Sequence, residues 1–142
     1  MESIRDYLTD EHRRCDTLYA ELEMRVQQDE WERAEDIFMS FQEETLAHFK
    51  KEEEVLFPEF EENTGITMGP TQVMRMEHSQ AKELLKKMKS SLEKRNKEGF
   101  LSVGDTLMIL IQQHNMKEEQ ILYPMCDQHL DSSKTIEKME SL

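Results

Sequence analysis

Four of the five histidines fall into two pairs with one constant offset: His12 and His78 stand 66 residues apart, and so do His48 and His114. Glu52 and Glu118 obey the same offset, and each follows a histidine by four residues. Residues four apart share a helix face, so His48 with Glu52 and His114 with Glu118 present two donors each on one side. Neutral imidazole with carboxylate suits first-row metals such as iron, manganese or zinc, and no thiolate is needed. Four histidines and two glutamates are too many for one ion. The two-fold repeat predicts two ions, one served by His12 and His48 and the other by His78 and His114. Glu52 and Glu118 would bridge them, which sets the ions about 3.5–4 Å apart. The alternative is a buried His–Glu network without metal, in a bundle whose histidines merely pack.

The offset extends beyond the donors. HFKKEEEVLFP (48–58) overlays HNMKEEQILYP (114–124) with six identities in eleven, and Glu11-His12 overlays Glu77-His78. Pro58 falls on Pro124, whereas His129 has no mate, because the offset lands on Asn63. A duplicated helical pair is the simplest source of such a pattern, with a pseudo-two-fold axis relating the halves.

Long amphipathic helices must carry these residues. In the first segment, residues 3–28, His12 sits between Leu8 and Cys15 in a stripe that continues through Tyr19, Leu22 and Val26. The second, residues 30–62, has the seam Phe38, Phe41, Thr45, His48, Glu52, Val55, with Leu56 beside it. After a loop at 63–69, Pro70 is placed as a first helical residue. The third segment, residues 70–97, runs Met74, His78, Ala81, Leu85, Met88, Leu92. The fourth, residues 100–130, runs Leu107, Ile111, His114, Glu118, Ile121, Met125. All four segments thus aim a histidine inward. Glu53 and Glu119 follow the histidine by five and rotate off that face; the charges around Lys50–Glu54 and Lys117–Glu119 read as a solvated rim that can hydrogen-bond the ligands from outside. Pro58 and Pro124 lie inside helical patterns and predict a bend or break within about one turn. Cys15 reads as packing, Cys126 and His129 as structural or exposed, and the 11 methionines as gap fillers.

The fold class expected is all-α, an up-down-up-down four-helix bundle with an internal two-fold pseudo-repeat. One domain spans 1–142, with the bundle at 3–130 and a polar tail at 131–142 that is either frayed or a short extra helix. Only 4 Gly and 3 Pro agree with few turns, and 37% hydrophobic residues suffice for a core. With 18 basic against 31 acidic residues the net charge is −13, which disfavours nucleic acid and anionic membranes as partners. The longest apolar run, Leu107 to Ile111, is far below the roughly 18 residues of a membrane span. The N-terminus lacks the basic-then-apolar pattern of a signal peptide, and two cysteines make no disulfide framework, so a cytoplasmic location is expected.

The arrangement of His12, His48-x-x-x-Glu52, His78 and His114-x-x-x-Glu118, with the trailing LFP and LYP, resembles the hemerythrin-like (HHE cation-binding) family over residues 3–130. The resemblance implies a bundle around a non-haem di-iron centre, two iron ions (Fe2+/Fe3+) with bridging carboxylates and an oxygen bridge. It implies binding or sensing of O2 or NO, or of iron and redox state. A di-iron enzyme acting in NO or peroxide reduction, or in iron–sulfur centre repair, is the alternative. Oxygen-carrying members have a fifth imidazole on the third helix, where this chain has Met74 and Lys82 around His78, and an Asp at plus five where this chain has Glu118 at plus four. The ligand set is more similar to that of bacterial iron-centre repair proteins and eukaryotic iron-sensing domains. Fewer imidazoles leave more coordination positions open. A monomer or dimer, with or without a protein partner, fits the acidic surface.

Overall fold

The polar layer just described is carried by long helices in a computed structural model, which describes residues 2–142. Among the described residues the elements are α1 (Ile4–Gln27), α2 (Trp31–Lys51), a π-helical turn (Glu52–Leu56), α3 (Phe57–Thr64), α4 (Pro70–Glu93), α5 (Lys97–Lys117), a second π turn (Glu118–Leu122), α6 (Tyr123–His129) and α7 (Ser132–Glu140). The chain is a helical bundle, with α1 packed on α2 and α4 on α5. The 66-residue offset holds residue for residue at both ends of α1 and α4, of α2 and α5, and of the two π turns. It holds even in the linkers, since Asp29 (φ 60°) and Arg95 (φ 52°) are the two non-glycine residues in the left-handed region.

Local chemistry sets the helix ends. The Ser3 hydroxyl accepts the Asp6 N–H at 2.9 Å and caps α1; Asn96 caps α5 by accepting the Gly99 N–H at 3.0 Å. The Asp127 carboxylate accepts the N–H groups of Ile4 (2.7 Å) and Arg5 (3.1 Å), which ties the start of α1 to α6. Gly65, left-handed at φ 74°, closes α3, and Pro70 opens α4 as expected.

Each expected proline break takes the form of a widened turn rather than a stop. Pro58 and Pro124 are the second residues of α3 and α6, and have no N–H to give to the carbonyl four residues back. In the turn before each, the ladder changes to bonds across five residues: Phe57 N–H donates to Glu52, and Tyr123 N–H to Glu118. One extra residue per turn moves the phase of everything after it. The inward stripe read for the fourth segment is corrected at Ile111, Ile121 and Met125. Ile121 is 56% exposed, while Leu122 and Tyr123 are buried. Met125 and Ile111 are half-buried.

Two apolar clusters enclose the polar layer. One joins Tyr19, Leu22, Phe38, Phe41, Leu85 and Leu107; the other joins Ile4, Leu8, Leu56, Phe57, Phe60 and Tyr123. The tail forms α7, whose Ile136 and Met139 pack into the second cluster. Thr135 Oγ1 donates to Glu59 at 2.7 Å and Lys138 also binds Glu59, holding α7 to α3. Among the described residues, no helix is long and apolar enough to cross a membrane. Met139 is fully buried, so Met139→Ala should cost about 2–5 kcal/mol in chemical denaturation. Met116, 56% exposed, should tolerate alanine within about 0.5 kcal/mol.

Candidate metal centre

All six donors predicted from the sequence meet in one layer. Glu52 and Glu118 are completely buried, and His12, His48, His78 and His114 are at most 5% exposed. The four imidazoles turn Nε2 inward. His78 Nε2 lies 3.1 Å and His48 Nε2 3.3 Å from Glu52 Oε1; His12 Nε2 lies 3.2 Å and His114 Nε2 3.3 Å from Glu118 Oε1. Two clusters of converging donor atoms result: Glu52, His78, His114 and Glu118 form one, and His12, His48 and Glu118 the other. Glu118 belongs to both.

The outward nitrogens are equally ordered. His12 Nδ1 pairs with Glu119 (2.6 Å) and His78 Nδ1 with Glu53 (2.7 Å); His48 Nδ1 pairs with Glu11 and His114 Nδ1 with Glu77, each at 2.9 Å. These contacts obey the 66-residue offset: Glu11–His48 and Glu77–His114 lie within one half each, whereas Glu119–His12 and Glu53–His78 cross between the halves. A carboxylate on Nδ1 fixes the N–H there, orients the ring and leaves the Nε2 lone pair free for a cation. Lysines clip three of the carboxylates from outside: Lys51 binds Glu11, Lys117 binds Glu77, and Lys82 lies 3.2 Å from both oxygens of Glu53.

Sequence reasoning rotated Glu53 and Glu119 off the ligand face into a rim able to hydrogen-bond the ligands from outside, and both do so. That rotation aims each at a neighbouring helix, where a histidine waits. Their recurrence at the offset, with that of Glu11 and Glu77, was the available signal. Tyr123 was missed. Its buried hydroxyl donates towards Glu52 Oε2 (2.7 Å) and Glu118 Oε1 (2.9 Å), and its offset partner is Phe57, which has no hydroxyl. Cys15 is half-buried and accepts the Thr45 hydroxyl at 3.7 Å; Cys126 is buried in the second cluster; His129 is exposed.

The charges of the layer stabilise one another. Burial pulls the His114 pKa down, but Glu118, with Glu52 and Glu77, lifts it to about 9. Burial likewise opposes the cationic forms of His48 and His78, and their carboxylate neighbours overcome it. Burial pushes Glu52 up, yet His48 and the hydrogen bonds around it hold its carboxyl well below the usual range. The layer therefore favours carboxylates facing positive charge, which a bound cation supplies as well as protons do.

A metal fits these residues on a direct observation. Glu52 Oε1, Glu118 Oε2, His78 Nε2 and His114 Nε2 are buried and make no well-directed hydrogen bond, although they lie close together. Buried polar atoms of this kind are costly unless something satisfies them. A cation among them would meet two nitrogens and two oxygens at once. In comparisons with known proteins, the family described as Hemerythrin HHE cation binding domain matches residues 3–126. No curated protein and no solved structure matches.

Two outcomes test the geometry. Glu53→Ala should weaken metal binding about 10–100-fold in a chelator competition, whereas Glu54→Ala, at an exposed position, should not. In the metal-free protein, the pKa of His114 is about 9 when folded and about 6.5 when unfolded. Its pairing therefore stabilises fully below pH ~6.5, and that stability disappears as pH rises to about 9. With excess chelator the melting temperature should fall across this window, while metal affinity should rise across it as the competing proton leaves.

Proposed function

The chain belongs to the hemerythrin HHE cation-binding family, and from that premise we propose that it is a non-haem di-iron protein that binds or senses O2 or NO, or reports iron and redox state. The reading rests on one observation above the others: two donor clusters share Glu118 inside a single buried layer. In this reading His12 and His48 hold one iron, His78 and His114 the other, and Glu52 and Glu118 lie between them. Iron held there supplies open coordination positions and a one-electron redox couple.

The chain's own residues support small-ligand binding. Glu11, Glu53, Glu77 and Glu119 keep Nε2 of each histidine turned to the centre. The two apolar clusters keep bulk water away on both sides. Beside His12 and His48 lies a narrow recess walled by Phe41, Phe49, Leu107 and Ile111, with room for about one water-sized molecule. An apolar space of that size suits a diatomic gas and excludes an organic substrate.

Anaerobic reconstitution with ferrous salt followed by elemental analysis should give two irons per chain. The optical spectrum should then change on adding O2, NO or a reductant. His48→Ala or Glu118→Ala should lower bound iron sharply, and chelation should lower the melting temperature, because metal bound only to the folded form stabilises it. Less than one iron per wild-type chain overturns the reading. Sustained consumption of reductant with NO or peroxide would favour the enzymatic alternative.

A further inference from the structure

Within the polar layer the two halves of the centre differ by one hydroxyl. At the offset, Tyr123 takes the position of Phe57. Phe57 stacks against His78 with ring centroids 5.6 Å apart at 28°; Tyr123 stacks against His12 at 5.7 Å and 28°. The rings are thus equivalent, and the hydroxyl is an addition to one half only. It stands among four donor atoms: 3.1 Å from His12 Nε2, 3.5 Å from His48 Nε2, 2.7 Å from Glu52 Oε2 and 2.9 Å from Glu118 Oε1.

The donor clusters differ in the same sense. The His78 half converges four side chains, Glu52, His78, His114 and Glu118, whereas the His12 half converges three, His12, His48 and Glu118. The Tyr123 oxygen supplies the count that is short. Unpartnered nitrogens concentrate on one side: His78 Nε2 and His114 Nε2 lack a hydrogen bond, while the hydroxyl stands 3.1 Å from His12 Nε2 and 3.5 Å from His48 Nε2.

We propose that Tyr123 is a metal ligand of the His12/His48 half, its phenolate oxygen completing a four-residue donor set and making the two metal sites unequal. The inference rests on the di-iron reading above. On ligation the Tyr123 O–H bond breaks, the oxygen keeps the electron pair and shares it with the metal, and the proton leaves to bulk water. A hard anionic oxygen suits ferric iron, and tyrosinate is among the oxygen ligands proteins offer that ion. The surrounding charge points the same way. Lys82 braces Glu53 beside His78, but the offset places Asp16 at the corresponding position near Glu119. Asp16 is half-buried and held by Gln112 at 3.1 Å. The His12 half thus carries a carboxyl group where the other carries an ammonium, and favours the more highly charged cation. The His78 half, with four donors and no proton to displace from a phenol, should fill first.

Tyr123→Phe tests this with little risk to the fold, since it installs the ring that position 57 already carries. The wild type, loaded with two irons and oxidised, should show a visible phenolate-to-iron charge-transfer band with resonance-enhanced tyrosine ring vibrations. Y123F should lose both signals. In a competition with a chromophoric chelator it should bind its first iron as the wild type does and its second at least tenfold more weakly. Two irons in the wild type without tyrosinate vibrations, or with vibrations that persist in Y123F, overturn the proposal and leave the di-iron reading intact. Less than one iron in the wild type overturns both.

Discussion

Two carboxylates with no solvent exposure, Glu52 and Glu118, govern this molecule. An unpaired buried charge costs several kcal/mol, so nothing else in the bundle can be arranged without answering them. Four imidazoles answer from four helices. Each is held in turn by a carboxylate further out, and three of those carboxylates by a lysine. The result is charge in alternating shells, negative at the centre, then imidazole, then negative, then positive. Each shell faces charge of the opposite sign, but four atoms of the two innermost shells, Glu52 Oε1, Glu118 Oε2, His78 Nε2 and His114 Nε2, lack a hydrogen bond, which leaves the centre able to attract a cation.

The cross-bracing also explains why the duplication is so exact in structure. Glu53 reaches the histidine of α4, and Glu119 reaches the histidine of α1. A half-bundle standing alone would have Glu53 without His78 and His12 without Glu119. The contacts close only when both halves are present. Register between the halves is therefore held by these four polar side chains as well as by apolar packing, and a slip of either half would strand buried polar groups at once.

Much of this was legible in the sequence, because helical period and offset are exact signals. The bundle, the inward face of each segment and the six convergent residues follow from spacing alone. What was not legible has identifiable causes. The stripe failed at Ile121 although its counterpart Val55, in an identical widened turn, is buried in the cluster that Ile136 and Met139 of α7 join; the hydrophobic pattern does not say which of the two positions the extra helix covers. The ladder's need to bypass Pro124 was visible, but its solution as a widened turn was not. Glu53 and Glu119 were legible as rim groups able to hydrogen-bond the ligands, but not which histidine each meets, because those histidines lie on other helices. Tyr123 stood inside a repeat that was noticed for its identities, when its difference from Phe57 was the informative part.

That difference has a general meaning for a duplicated site. Two-fold repetition builds two like sets of donors, and only a residue that departs from the repeat can make them differ. Breaking the likeness requires a group that enters the polar layer without disturbing the packing around it. An aromatic ring already fixed against a histidine satisfies both demands, because a hydroxyl at its far edge adds an oxygen donor and almost no volume. The apolar recess opens beside His12 and His48, the same half that carries the hydroxyl. The recess and the extra oxygen are therefore found on one side of the layer, while His78 on the other stacks against Phe49 with ring centroids 3.9 Å apart.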